Sequence, residues 1–245
     1  MQFIGKKESI FVAKKMRDEL IYNMAKSEGN TLSFAETSSV VRGISVGGKK
    51  MKELHQIERI RDGWDEIIQQ CLLGKFEVTK ENFIFINTIV ADTENPELGN
   101  FRTKPVFIGG TKWQPPLPML LSENFRNMIN DFNNTSDISA KSFGLFLDSA
   151  RNQFFADGNK RTSQLIANGY LITNGYSLFS IDESMDIEYK EKLIEYYESG
   201  NKEAMLDFLG KHQTQKDLDI NSILSEYKNS AQTIQDEDIY PTINI

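Results

Sequence analysis

Apolar positions recur at helical spacing through most of the chain. Ile10, Ala13, Leu20, Ile21 and Met24 fall on one face of a helix, and Glu28-Gly29-Asn30 is its stop. Ser33, with Glu36 three positions on, is a capping box, so a second helix starts there. Gly43 and the Gly47-Gly48 pair end it. Longer amphipathic stretches run from Lys50 to Leu73 and from Lys80 to Ala91. Ser122 to Phe132 reads as another helix. Phe143, Phe146, Leu147, Ala150 and Phe154 then give the i, i+3, i+4, i+7, i+11 pattern of a buried face. Leu165, Ile166, Gly169 and Tyr170 mark the next helix, and Asn174-Gly175 stops it. Two helices are expected near 184–198 and 201–211, one more near 218–231, and a solvated tail from Asp236 to Ile245.

Residues 93–118 interrupt this pattern. They hold five of the six prolines, together with Gly99, Gly109 and Gly110. Within them, two short extended runs flank Gly109-Gly110, in Val106-Phe107-Ile108 and Thr111-Lys112-Trp113. That arrangement predicts a β-hairpin, with an irregular loop as the alternative.

Composition narrows the class. The chain has 245 residues, 39% of them hydrophobic, enough to bury a sizeable core. Its net charge of −7 gives no long-range pull on nucleic acid or anionic lipid. No run approaches the roughly 18 apolar residues of a membrane span, and the first residues carry no apolar signal core. Cys71 is alone, so neither a disulfide framework nor a cysteine metal cluster is expected. His55 and His212 are far apart, which argues against a histidine-centred site. A cytoplasmic, bacterial-type protein is expected, without nucleic-acid or membrane partners.

The chemistry concentrates between two amphipathic helices, in Asp157-Gly158-Asn159-Lys160-Arg161. Glycine and asparagine tolerate the left-handed backbone that a concave nest of N–H groups requires. The helix that follows presents free N–H groups and its positive dipole end. Lys160 and Arg161 add cationic donors, and Asp157 adds a carboxylate able to hold Mg2+. This suits a nucleotide phosphate. Asp-Gly-Asn is also ordinary turn chemistry, so the residues alone leave a phosphate site and a plain turn both open.

Phe155, Asp157, Gly158, Asn159 and Arg161 resemble the core motif of Fic (Fido) domain proteins, His-x-Phe-x-Asp/Glu-Gly-Asn-Gly-Arg-x-x-Arg. Three further stretches agree in order: SEGNTLSFAET with the inhibitory-helix signature, ISVGGKKMKELHQIERIRDGWDEI with the helix after it, and GNFRTKPVFIGGTKWQPPLP with the flap region. The resemblance implies a mainly α, Fic-type helical bundle with a small β-hairpin flap. It divides the chain into an N-terminal helical segment (1–48), a Fic core (49–212) and a C-terminal helix and tail (213–245).

Fic domains typically transfer AMP from ATP to a hydroxyl on a target protein. The resemblance therefore implies Mg2+ with ATP or another nucleotide as cofactor. Asp157 would hold the metal. Gly158, Asn159 and Lys160 would form an anion hole, and Arg161 would pair with a phosphate. Ile108, Gly109, Gly110, Thr111 and Trp113 would form a flap that lays a target segment alongside by strand-like pairing; Trp113 packing on the core is the alternative.

Departures from the pattern matter as much. Gln153 stands at the motif histidine, and an amide has no useful basicity, so impaired catalysis is expected. Lys160 replaces the motif's second glycine, as in a branch that includes a kinase. Gln164 replaces the second arginine, which weakens the expectation of triphosphate binding. Glu28 occupies the inhibitory glutamate position; pairing with Arg161, or ending a helix, are its two expected roles. The expected function is a Fic-like nucleotide-binding protein related to protein adenylyltransferases and impaired in transfer. The alternatives are an active AMP- or phosphotransferase with a different base, or a toxin–antitoxin type stress component.

Overall fold

A computed structural model describes residues 1–238. It contains ten α-helices and two short 3-10 turns: α1 (Lys6–Lys15), α2 (Arg17–Ser27), α3 (Phe34–Val41), α4 (Met51–Leu73), α5 (Lys80–Val90), α6 (Leu121–Asn134), α7 (Ile138–Asn152), α8 (Asn159–Asn174), α9 (Asp186–Ser199) and α10 (Glu203–Asp238). The 3-10 turns are Pro118–Leu120 and Glu183–Met185. The capping box at α3 forms as the sequence predicts: Ser33 Oγ accepts from Glu36 N–H, and the Glu36 carboxylate accepts from Ser33 N–H at 2.8 Å. No helix among the described residues is long and apolar enough to cross a membrane.

The core has two parts, with α8 between them. One gathers Leu20, Trp64, Phe83, Phe155 and Leu165 from α1, α2, α4, α5 and the α7–α8 turn onto α8. The other packs Phe146 of α7, Phe179 of the α8–α9 connection, Tyr189 of α9 and Met205 of α10 with Ala167 and Leu171 of α8. Each large apolar side chain so buried stabilises the fold by roughly 1.5–3 kcal/mol relative to exposure. Helix α8 is accordingly buried almost all round. Close approach is set by Gly63 on α4, where a Cβ would lie 2.5 Å from Val90 and 2.8 Å from Leu165.

Three expectations need correction. The first predicted helix is two, divided at Met16, whose backbone (φ −89°, ψ 5°) leaves the helical region. The helices expected near 201–211 and 218–231 are one, α10. The predicted β-hairpin forms no ladder: among the described residues the only β-pairing is the isolated Phe3–Tyr176 bridge. Residues 105–117 have no regular secondary structure apart from a turn at Gly109-Gly110. Pro105, Pro115 and Pro116 have no N–H to give a ladder, and the Lys112 N–H goes to Glu198 instead. Of the expected tail, Asp236 to Asp238 end α10, and residues 239–245 lie outside the described residues.

Candidate functional site

The connection between α7 and α8 is tight and internally bonded. Gln153 caps α7 in the left-handed conformation (φ 49°), the only non-glycine residue described with positive φ. Such a backbone costs roughly 1–2 kcal/mol, so something must hold it. Its side-chain Nε2 donates to Ala150 O at 2.6 Å, its Oε1 accepts from Asn159 Nδ2 at 3.0 Å, and its carbonyl accepts from Arg102 Nε at 2.6 Å. Asn159 closes the turn from the other side. Its Oδ1 accepts from Phe155 N–H at 2.9 Å and its Nδ2 donates to Phe155 O at 2.7 Å.

Gly158 starts α8 in the left-handed region (φ 77°). A Cβ there would lie 3.0 Å from Asn87 Nδ2 and 3.3 Å from Ala91. Asn87, almost wholly buried on α5, donates to Asp157 O at 2.9 Å and to Thr162 Oγ1 at 3.1 Å. With Asp157 O taken in this way, the N–H groups of Asn159, Lys160 and Arg161 have no acceptor among the described residues. They are the orphan donors of a helix N-terminus.

Charged groups surround those donors. Arg161 is buried, gives Nη1 to Val90 O, and pairs through Nη2 with Asp157 Oδ1 at 2.9 Å. Its Nε has no acceptor, nor has Nε2 of Gln164, one turn along α8. The second Asp157 oxygen accepts from Asp92 N–H at 2.8 Å. Burial pushes the Asp157 carboxyl up, but the Arg161 charge and the Asp92 and Gly158 N–H groups outweigh it and hold it below the usual carboxylate range. The side chain stays 38% exposed, an ionised carboxylate with free lone pairs.

Glu28 ends α2 as its C-cap and pairs with Lys160 Nζ at 3.3 Å. Of its two expected roles, the helix-end one is present; the expected pairing with Arg161 is not, because Arg161 has Asp157. Behind Glu28 lie Tyr189 and Tyr197, whose phenols are raised by burial and further by the Glu28 charge.

A cleft of about 600 Å³ opens beside this group. It is lined by Glu28, Gly29 and Asn30, by Lys52, Glu53, Gln56 and Arg59 of α4, by Asp92, Glu94 and Asn95, and by Ala156, Asp157 and Arg161, whereas Gly158, Asn159 and Lys160 lie outside the lining. Acidic side chains outnumber cations in this lining, so a polyanion enters it favourably only with a cation of its own. Mg2+ suits the donor set. It is usually held by one or two carboxylates, with phosphate and water oxygens completing the shell. Asp157 is such a carboxylate, and no cluster of three or more His, Cys, Asp or Glu among the described residues offers an all-protein cage.

The 108–113 segment lies outside this lining. Thr111 Oγ1 and Lys112 N–H both donate to Glu198 Oε1 on α9, at 3.0 and 2.9 Å. Trp113 packs against the second core with Ile108, gives Nε1 to Arg151 O at 3.3 Å, and carries the Arg151 guanidinium 3.6 Å above its ring. Trp113 therefore does pack on the core. Sequence reasoning missed Asn87 and Arg102. Asn87 had a signal, as a polar residue in register with the apolar Phe83, Ile86 and Val90.

Residues 77–171, which include the whole α7–α8 connection, match the model of the Fic/DOC family. The protein adenylyltransferase Fic of Drosophila grimshawi is 30% identical over 191 residues, covering 76% of this chain and 38% of that protein. The protein adenylyltransferase Fic of Drosophila persimilis is 29% identical over 192 residues, covering 76% and 36%. This chain thus spans well under half the length of these relatives. Fic-1 from C. elegans superposes with a TM-score of 0.70 at 18% identity, over 92% of this chain and 73% of that one. A Fic domain containing signaling protein from Bacteroides thetaiotaomicron gives 0.66 at 19%, over 76% and 74%. At these identities the structures speak for the fold, an all-helical Fic-type bundle. The chain carries a Fic/DOC family domain and is related to protein adenylyltransferase Fic.

Proposed function

We propose that this protein binds ATP or another nucleotide with Mg2+ at the start of α8, and that it transfers AMP poorly or not at all. The observation that carries this is the set of free N–H groups at Asn159, Lys160 and Arg161, beside an ionised, part-exposed Asp157 that lines the cleft together with Arg161. Helix N-termini of this kind bind phosphate through N–H groups and dipole together. Gly158 keeps the turn open enough to present them, Arg161 supplies a cation beside them, and Asp157 holds the metal. Bound Mg2+ supplies charge neutralisation to the phosphates.

Gln153 takes the place of the motif histidine. Its amide is neutral and both its ends are bonded, to Ala150 O and Asn159 Nδ2. It cannot take a proton from an attacking hydroxyl. General-base catalysis is worth roughly 10²–10⁴ in rate, and that factor is what the chain lacks. Glu28 acts as the inhibitory carboxylate by holding Lys160, the one cation of the loop that points to α2. The segment at Ile108, Gly109, Gly110, Thr111 and Trp113 serves as the docking strip for a target protein segment, with the 84% exposed Phe107 just before it.

Calorimetry tests the binding claim. Mg2+-ATP or Mg2+-ADP should give measurable heat, and Asp157→Ala should remove the Mg2+ dependence. No heat at millimolar nucleotide removes the site.

A further inference from the structure

Arg102 is a buried arginine without an ion-pair partner. It is 2% exposed and forms no salt bridge among the described residues. A cation in that position is unfavourable unless its donors are satisfied, and here they are met by main-chain carbonyls from separate stretches. Nε donates to Gln153 O at 2.6 Å, Nη1 to Lys104 O at 2.9 Å and Nη2 to Pro116 O at 2.5 Å. Its own N–H donates to Phe154 O at 2.9 Å. Phe101, just before it, stacks on Phe154 with ring centroids 5.1 Å apart.

The three acceptors have different jobs. Lys104 and Pro116 are the two ends of the irregular loop that carries Trp113. The guanidinium closes the base of that loop, in place of the ladder its prolines rule out. Gln153 is the left-handed residue whose amide reaches Asn159, and Asn159 in turn shapes the turn that presents the free N–H groups.

We infer that Arg102 is a positioning residue that couples the start of α8 to the 104–116 loop, so that a ligand at either is felt at the other. The inference rests on the nucleotide reading of that site for its ligand, but the mechanical link stands on Arg102 alone. The planar fork is essential to it, since five fixed N–H donors reach three divergent carbonyls and a lysine ammonium on a flexible stem does not. Coupling of this kind is reciprocal.

Hydrogen exchange of the full chain, read by mass spectrometry, tests it. Mg2+-ADP should slow exchange in peptides covering 106–113 as well as 153–162, although the first stretch lies outside the cleft. Without ligand, Arg102→Lys should speed exchange in both stretches together, by about tenfold, the effect of losing a typical buried hydrogen bond, while peptides around Trp64 keep their rates. A ligand effect confined to 153–162, or a variant that loosens only one stretch, overturns the inference. Should the variant not fold, the ligand arm on the unmodified protein decides. Should calorimetry show no nucleotide binding, the site reading falls and the ligand-free variant arm still decides on Arg102.

Discussion

Gly158→Ala is the sharpest perturbation of the turn. The position is left-handed (φ 77°), which costs a side-chain-bearing residue roughly 1–2 kcal/mol. The new Cβ would also lie 3.0 Å from Asn87 Nδ2 and 3.3 Å from Ala91 Cα and Cβ. Ala91 is backbone at that point and cannot swing aside. Asn87 is fixed by its bonds to Asp157 O and Thr162 Oγ1, each worth about 0.5–1.5 kcal/mol, and relieving the contact weakens both. The summed loss is about 3 kcal/mol. Urea denaturation measures it as a fall in midpoint at unchanged m. Gly109→Ala is the control, since its φ is ordinary and no atom lies within 4 Å of its Cβ; it should shift stability by less than about 0.5 kcal/mol. If Gly158→Ala costs less than about 1 kcal/mol, the packing argument at Asn87 is wrong.

Asp157 should leave an acid-side signature. Its folded-state carboxyl is held down, so its stabilisation is complete above the unfolded value near 4 and lost as pH falls through the folded one. The unmodified protein should therefore lose stability more steeply below about pH 4 than Asp157→Asn does; parallel pH profiles would rule the effect out. Glu28→Gln frees Lys160 and should tighten ADP binding about tenfold, the scale of one charge-assisted hydrogen bond; an unchanged affinity in calorimetry removes the inhibitory role. Gln153→His places an imidazole at a left-handed position that histidine tolerates. Self-labelling from radioactive ATP should rise by about 10²-fold or more, and robust labelling by the unmodified protein would show that the missing base does not matter.

How legible a feature was in the sequence depended on how local its causes are. Ser33 with Glu36 and Asn174 with Gly175 are within a turn of what they cap, and both helix ends stand where the residues put them. Met16 divides α1 from α2 with no glycine or proline to announce it, because the apolar spacing from Ala13 to Leu20 runs straight across. The helices expected near 201–211 and 218–231 run on as one through Gln213 and Lys216. This stretch is helical because its polar groups meet partners far away in the chain: Gln213 reaches Leu178 O, and Lys216 lies between Glu19 and Asp182. The hairpin failed for a related reason, since Gly109-Gly110 makes the turn but Glu198 and Arg102 take the groups a ladder would use. At the site, the Asp157–Arg161 pairing is i, i+4 and local. The partners of Lys160 and Gln153, namely Glu28 and Arg102, come from other elements and could only be found in three dimensions.

On the proposed reading, Gln153 separates anion binding from base catalysis. Every polar group of this residue is bonded: its N–H to Ser149 O, its carbonyl to Arg102, and its amide to Ala150 O and Asn159. The cradle at α8 depends on the backbone of Gly158 and on the Asn159 amide, and Gln153 supports both by tying the end of α7 to Asn159. A residue there serves two separable ends: an imidazole ring contributes rate, while the left-handed cap contributes geometry. On that reading, the amide of Gln153 forgoes the first and keeps the second. On the same reading, removing the geometry would act on binding directly, because the turn that presents the orphan N–H groups of Asn159 to Arg161 would lose its support. Loss of rate with retained affinity is therefore the expected outcome of a glutamine at this cap, and loss of both is the expected outcome of any change that lets residue 153 leave the left-handed region.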